Sequence, residues 1–517
     1  MNRTTRSIVA VSAGAAAALV AILAVAPLIG GPWVDRVVRE RLAAVARDRF
    51  ESSVTVEHVA VSLLPPSATM TGVVFRHRSR NDVPPLFEID RMEIRGGLGI
   101  LAPAPRASSV RLAGLRIVIP RGNDSAQPES EPANPNGASP NYGAAEVIAD
   151  GAQLRVLSKK PGREPLEFDL QMLRMRDVSL ADPMKYTARL TNPKPPGLIH
   201  SAGEFGPWNG PDPTLTPLQG IYELTDADLS DFKGLRGILR SNGRFQGLLE
   251  EIVVDGEADV PRFALEISGN PVHLKTQFHA IVDGTNGDTR LEPVNAQFLK
   301  SSVVARGAIE GREGVKGKGV SLDVRVRRAR IEDMLRLAMR GGKPLLRGPI
   351  RFQTRLDLPP GQGDVIERLR LNGAFEVENG KFQQPAIQDK IDSLSRKGLG
   401  EPENAAIDDV STGLAGSFRL ASGIIRFRQL SFEVPGVGVR LDGAFDLRDE
   451  SVDLTGTLRM DAKVSETVTG FRSVLLKAVD PLFGRRKAGA VVPIKISGTR
   501  SKPEFGLDAA GLVKRDE

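Results

Sequence analysis

Residues 413–460 read GLAGSFRLASGIIRFRQLSFEVPGVGVRLDGAFDLRDESVDLTGTLRM. Within them Phe418-Arg419-Leu420, Ile425-Arg426-Phe427, Leu430-Ser431-Phe432-Glu433-Val434, Val437-Gly438-Val439-Arg440-Leu441 and Phe445-Asp446-Leu447 alternate apolar and polar side chains. A period of two places every apolar residue on one face of a strand and every polar residue on the other. Ala421-Ser422-Gly423, Pro435-Gly436, Asp442-Gly443 and Arg448-Asp449-Glu450 carry turn chemistry, so each is expected to end one strand and begin the next. Val452-Asp453-Leu454 and Leu458-Arg459-Met460 continue the series. Short strands joined in this way form a meander, which widens by about 4.8 Å with each added strand.

The same pattern runs upstream. Val54–Glu57 and Val59–Leu63 stop at Leu64-Pro65-Pro66; Phe87–Asp90 and Met92–Arg95 precede Gly96-Gly97. Val110–Leu112 and Leu115–Ile119 end at Pro120, and strands resume at Ala152–Val156 and Leu166–Leu170. These segments read as half-buried antiparallel strands with one wet face. Residues 121–141, RGNDSAQPESEPANPNGASPN, contain no large apolar side chain and are expected to be a disordered or loop insertion. The proline-rich stretch from Asn192 to Pro217, around Trp208, is expected to be an irregular surface excursion. Beyond Phe50, helical spacing returns at Ile331–Met339, Ile387–Leu394 and Ser465–Phe483, where Val468, Phe471, Val474, Leu475 and Val479 share a face. In all, roughly 25 to 30 strands are expected. So wide a sheet cannot stay flat and open, because sheets twist and strand edges recruit other strands. A trough, a closed barrel or several sandwiches would each cover its apolar face, and periodicity does not choose among them.

The chain has 517 residues, a net charge of +7 and no cysteine, which removes disulfides, thiolate nucleophiles and zinc-thiolate sites together. Its 70 basic and 63 acidic residues make a mixed surface whose small basic excess suits anionic lipid and does not argue for nucleic acid. Phenylalanine, at 20 against 3 tyrosines and 2 tryptophans, favours purely apolar surface. Asp169, Asp177 and Asp182 fall at strand or turn positions without a partnered histidine, and no nucleophile elbow, phosphate loop or metal spacing occurs. The chain is therefore expected not to be an enzyme and to need no cofactor and no metal. Residues 282–288, VDGTNGD, look like a calcium loop, but Thr285 stands where that loop needs an acid or amide, so a hairpin turn is expected. His273 and His279 share the polar face of one strand about 20 Å apart, too far to share a metal. Arg485-Arg486-Lys487 reads as a solvated basic turn or a contact to anionic lipid.

From Ser7 to Val34 no residue is charged. Ile8 to Ile29, including Val9, Leu19, Val20, Ile22, Leu23 and Leu28, would make a helix of about 33 Å, enough to span a bilayer core. A cleaved signal peptide is the competing reading, since Ala24-Val25-Ala26 fits the small-residue rule. The run is longer than a signal peptide's apolar region and Pro27 sits at the would-be mature terminus, so an uncleaved anchor is favoured. Arg3 and Arg6 precede the span while Arg36, Arg39, Arg41, Arg47 and Arg49 follow it, so charge bias alone does not support a translocated body. Val34, Val37, Val38, Leu42, Val45 and Ala46 recur at helical spacing, either along a membrane surface or against the body.

The order of these pieces resembles the AsmA-like family of bacterial envelope proteins. The resemblance rests on the anchor, on SSVTVEHVAVSLLPPSATMTGVVF, on FEIDRMEIRGGLGIL with SSVRLAGLRIVIPR, and on a polar insertion after them. At the other end it rests on LNGAFEVENGKF, the stretch quoted first, a helix with DPLFG, and VVPIKISGTRSKPEFGLD. It is strong over 50–120 and 365–508 and weak between. It implies a mainly β fold: a long antiparallel meander curled into an elongated apolar groove, with a few short helices and one N-terminal transmembrane helix. The expected division is 1–34 anchor, 35–120 N-terminal strand region, 121–141 polar insertion, 142–330 middle groove region and 331–517 C-terminal region with helices. The resemblance also implies a cytoplasmic N-terminus, a periplasmic body on the inner membrane, and phospholipid as cargo moving towards the outer membrane. An envelope protein partner is expected at the C-terminal end. The alternative is an assembly factor for the envelope and outer-membrane proteins that carries no lipid. Acyl chains are expected on Phe418, Leu420, Ile425, Phe427, Leu430, Phe432, Val434, Val437, Val439, Leu441, Phe445 and Leu447.

Overall fold

The computed structural model describes residue 43 and residues 52–63, 65–77, 84–96, 106–119, 143–158, 165–179, 182–207, 215–341, 344–401, 409–461 and 491–508. Among them, two-residue alternation produces 27 strands in one sheet. In chain order the first ten are β1 (Ser52–Thr55), β2 (His58–Leu63), β3 (Pro66–His77), β4 (Phe87–Arg95), β5 (Arg106–Ala107), β6 (Ser109–Ile119), β7 (Gly143–Val156), β8 (Leu166–Ser179), β9 (Met184–Pro193) and β10 (Pro196–Phe205). Next come β11 (Leu218–Asp228), β12 (Leu235–Arg236), β13 (Ile238–Leu248), β14 (Glu251–Leu265), β15 (Val272–Val282), β16 (Thr289–Phe298), β17 (Ser301–Arg312) and β18 (Val315–Arg330). The last nine are β19 (Leu346–Arg347), β20 (Pro349–Leu358), β21 (Arg370–Phe382), β22 (Thr412–Ala421), β23 (Ile424–Val434), β24 (Val437–Asp446), β25 (Val452–Met460), β26 (Val491–Thr499) and β27 (Lys502–Leu507). Three α-helices interrupt them: α1 (Ile331–Ala338), α2 (Val365–Arg368) and α3 (Pro385–Leu399).

Most strands are longer than the sequence suggested, because several turn-like pairs lie inside a strand. Phe87–Asp90 and Met92–Arg95 form the single strand β4, in which Arg91 pairs with Ala113. Asp442-Gly443 does not end a strand either. Gly443 pairs with Phe427 and Leu454, and the neighbouring strand bulges between Phe427 and Leu430. The Asp442 carboxylate accepts the backbone N–H of Gln429 in that bulge at 3.0 Å, so the turn-forming side chain stabilises an irregularity in its neighbour. The other three turns, at Ser422-Gly423, Pro435-Gly436 and Arg448-Asp449-Glu450, do separate strands. Asn192 to Phe205 is not irregular: β9 and β10 pair from Met184↔Phe205 to Pro193↔Pro196, and the Asn192 side chain closes the turn on the Pro195 carbonyl at 2.7 Å.

The sheet is a mixed one, and not a pure antiparallel meander. β6 and β7 pair in parallel from Val110↔Val147 to Ile119↔Val156. Parallel neighbours need a crossover of a dozen residues or more, and residues 120–142 are that connection. The polar stretch 121–141 therefore joins two adjacent strands that point the same way. β1 with β2, β5 with β6, β12 with β13, and β19 with β20 lie end to end against a common neighbour, so the 27 strands fill 23 places.

Two of these breaks share one construction. After β11 and after β18 the chain leaves the sheet for a short helix, Leu229–Asp231 in the first case and α1 in the second. It re-enters through Leu235-Arg236-Gly237 and Leu346-Arg347-Gly348. Gly237 and Gly348 have φ of +138° and +150°, a region open to glycine. Their carbonyls accept the N–H of Leu229 and Ile331, each at 3.0 Å. The glycine thus bends the strand and ties back the first residue of the helix.

Burial along the apolar face is uneven. Towards the first strands one cluster is sealed, with Met70, Phe87, Ile89, Met92, Ile94, Leu115, Met175 and Met184 at 0–1% exposure. Each side chain of that size contributes about 1.5–3 kcal/mol when fully buried. Two smaller clusters lie under the helices. Ile331, Met334 and Leu335 of α1 cover Val326, Ala329, Ile350 and Val377. Ile391 and Leu394 of α3 pack on the cluster of Leu430, Val434, Val437, Val439 and Leu441. A buried aspartate seats each helix. Asp333 accepts from Lys300 N at 3.0 Å and Ser301 Oγ at 2.7 Å; Asp392 accepts from Gln388 Nε2 at 2.8 Å, Asp409 N at 3.0 Å and Val410 N at 2.9 Å.

α1 falls where helical spacing was read, and α3 starts earlier and ends later than Ile387–Leu394. The anchor residues Ile8, Val9, Leu19, Val20, Ile22, Leu23, Leu28 and Ile29, the segment up to Phe50 apart from residue 43, residues 121–141, Ser465–Phe483 and Arg485–Lys487 lie outside the described residues. Among the described residues, no helix is long and apolar enough to cross a membrane.

Candidate functional site

Eleven of the twelve candidate apolar residues come together on one face of β22, β23 and β24; Leu447 follows the end of β24, where its N–H donates to the Gly423 carbonyl at 2.9 Å. Phe418 stands opposite Phe427 and Leu420 opposite Ile425. Ile425 then faces Phe445, Leu430 faces Leu441, Phe432 faces Val439, and Val434 faces Val437. Directly paired residues point to the same side of a sheet, so the rows are continuous. The set divides by exposure. Leu420, Leu430, Val434, Val437, Val439 and Leu441 are buried, at 2–7%. Phe418, Ile425, Phe427, Phe432, Phe445 and Leu447 stay half-buried.

Helix α3 accounts for much of that division. Ser395 Oγ donates to the Pro435 carbonyl at 2.9 Å, and a Cβ on Gly398 would come within 2.3 Å of Val437 Cγ2. The helix therefore lies hard against the turn between β23 and β24. It also reaches further: Lys390 Nζ sits 5.6 Å from the ring centroid of Phe505 on β27, the last described strand.

Other residues of this face were not singled out from the sequence. Phe375 of β21 lies 6.1 Å from Phe418 and 6.3 Å from Phe427, centroid to centroid, and Phe382 lies 6.3 Å from Phe432. Leu454, Leu458, Ile494 and Ile496 extend the same rows through β25 and β26. For Phe375, Phe382, Ile494 and Ile496 the signal is the alternation in LNGAFEVENGKF and VVPIKISG; Leu454 and Leu458 belong to the segments that continue the opening series.

The reverse face is basic. Arg419 pairs directly with Arg426, with Arg428, Arg440 and Arg459 exposed nearby. At the rim, the Arg448 guanidinium donates to the Asp446 carboxylate and holds its pKa down to about 2. His273 and His279 contact different carboxylates, Asp259 at 2.6 Å and Asp255 at 2.8 Å. Residues 283–288 form the turn between β15 and β16, with the Asp283 carboxylate accepting from Thr285 N at 2.9 Å.

No family model, curated protein or solved structure matches the chain. The AsmA-like resemblance therefore stands on its strand and turn pattern alone.

Proposed function

We propose that this protein carries phospholipid, with acyl chains lying along the apolar face of the sheet and head groups at its open margin. One observation carries the reading: a single sheet with one alternating pattern is sealed at its first strands and left half-covered over later ones, with buried clusters again beneath α1 and α3. In β4 the apolar positions Phe87, Ile89, Met92 and Ile94 are buried, whereas β13, β16 and β17 alternate mainly between exposed and half-buried. Apolar surface left uncovered by the protein gains about 0.8 kcal/mol for each CH₂ it removes from water on a bound chain. Such binding needs no specific polar contact, in keeping with a face of Phe, Leu, Ile and Val.

Two features support a curled sheet. A flat one would set β27 about 29 Å from β21, six places away. Helix α3, whose first turn is tied to β21 through Phe382 N and Gln388, nevertheless touches Phe505 of β27. The Asn270 side chain donates to the carbonyls of Arg336 and Met339 at 2.9 Å, binding the β14–β15 turn to α1. A span of 23 places is worth about 105 Å of ladder, so transfer between two membranes would need a partner, a second copy or a close approach of the bilayers. With residues 1–34 read as an anchor, the resemblance to AsmA-like proteins implies a body on the inner membrane facing the periplasm.

The test is mass spectrometry of lipids retained by the full-length protein after detergent extraction and exchange. Stoichiometric phospholipid supports the reading, and a lipid-free protein contradicts it. The assembly-factor reading is favoured by a different observation. Among the described residues β27 is an edge strand, with Phe505, opposite Ile496 of β26, 55% exposed, an edge suited to pairing with a strand from another protein.

A further inference from the structure

The polar face of β10–β16 carries an open depression between rows of side chains. Across it, register aligns His200, Glu223, Asn242, Glu257, Gln277 and Asn295 in one straight row, one residue from each successive strand. A second row, Ala202, Ile221, Arg244, Asp255 and His279, runs beside it. Between the rows lies a concavity of about 1020 Å³, floored by the backbone of residues such as Gly243 and Gly256. A cavity of about 400 Å³ adjoins on the side of Gln219 and Gln246, and one of about 260 Å³ on the side of Lys275 and Gln297.

The chemistry of this strip differs from the arginine-rich polar face of β22–β24. One of its carboxylates is neutralised within it: Asp255 contacts both Arg244 at 3.5 Å and His279 at 2.8 Å. Gln277 donates to Glu257 at 3.0 Å. His200, Glu223, Asn242 and Asn295 are exposed and make no side-chain hydrogen bond among the described residues. What remains to meet a ligand is a line of amides and carboxylates, each able to donate to or accept from neighbouring hydroxyls. Ile221, 63% exposed on this otherwise polar face, adds an apolar platform. The strands repeat at about 4.8 Å, close to the repeat of an extended pyranose chain.

We propose that this strip binds a straight, near-neutral glycan lying across the strands, one sugar to a strand. The row of six side chains would span about 24 Å, and the concavity is at the upper end of the size of ligand sites. The site lies on the opposite face from the apolar residues and does not depend on lipid being carried.

The probe is a straight hexasaccharide of equatorially linked N-acetylglucosamine, titrated calorimetrically into the full-length protein. Saturable binding is expected, weakened at least ten-fold by Asn242→Ala with Asn295→Ala. Both residues are exposed, so the fold is not at risk. Gln353→Ala, exposed on β20 outside the strip, should leave affinity unchanged. A coiled, axially linked glucose hexasaccharide should bind at least ten-fold more weakly. Absence of saccharide binding, equal binding of the two shapes, or affinity unaltered in the double variant would each overturn the proposal.

Discussion

Phe432 on β23 stands directly opposite Val439 on β24, while the next residue of each strand, Glu433 and Arg440, is exposed on the other face. Val439 is 5% exposed, so a charge there would threaten the fold itself, whereas Phe432 is half-covered. Phe432→Asp and Phe427→Asp are expected to fold and to lose at least ten-fold in phospholipid retention. Glu433→Gln and Arg440→Gln should stay within two-fold of the parent. Circular dichroism establishes folding, and lipid mass spectrometry of the purified variants measures retention.

Helix α3 is held by Asp392. Its carboxylate accepts from Gln388 Nε2 and from the backbone N–H groups of Asp409 and Val410. Asp392→Ala removes the acceptor of the Asp409 and Val410 N–H groups, while Gln388 Nε2 keeps the Val410 carbonyl at 3.0 Å, and is expected to cost about 2–4 kcal/mol. Asp392→Asn, which keeps one acceptor oxygen, should cost less. Thermal unfolding followed at a strand signal measures both.

The Leu-Arg-Gly re-entry is expected to be sensitive at its glycine. A Cβ on Gly237 would meet Val260 Cγ1 at 2.7 Å and sit at φ +138°, so Gly237→Ala should destabilise by about 1–3 kcal/mol. Gly269 has φ +67° with nothing within 4 Å, and Gly269→Ala should cost less. Equal losses in chemical denaturation would remove the steric part of this explanation.

How much of this could be read from residues is clear at particular places. Alternation located β22–β24, and Pro435-Gly436 marked a real turn, because local chemistry there agrees with the ladder. Asp442-Gly443 misled, since its carboxylate serves a bulge on the adjoining strand, and that register is not a local property. The parallel pairing of β6 with β7 was hidden for the same reason: residues 121–141 look alike whether they cross over or merely loop out. The burial of Val437 depends on α3, far from it in sequence. The polar row from His200 to Asn295 draws one residue from each of six strands, so no window of sequence contains it.

Acid should act at the rim. Asp446 has its pKa lowered from 3.8 to about 2, chiefly by the hydrogen bond from Arg448. A depressed carboxylate contributes stability that is complete above its unfolded value and lost as pH falls through its folded value. The contribution should therefore fade between about pH 4 and pH 2. Arg448→Gln should lower stability above about pH 4, including at pH 7, with the difference from the parent closing as pH falls towards 2. Unchanged stability at pH 7 would mean that the pair adds nothing.

Arg419 and Arg426 face each other across β22 and β23. Like charges so placed are destabilising, so Arg426→Glu is expected to stabilise the protein by about 0.2–1 kcal/mol at low salt, with the gain shrinking as salt rises. Urea unfolding at two ionic strengths measures it.

The most direct test of lipid carriage is photocrosslinking in intact cells, with a benzophenone side chain placed at single positions of the full-length protein. Phe418 and Phe427 lie on the half-covered apolar face; Arg419 and Arg428 are exposed on the other. Phospholipid adducts, read by mass spectrometry, are expected at Phe418 and Phe427 and not at Arg419 or Arg428. Adducts at neither pair, or at both equally, would contradict the assignment of the apolar face as the path of the acyl chains.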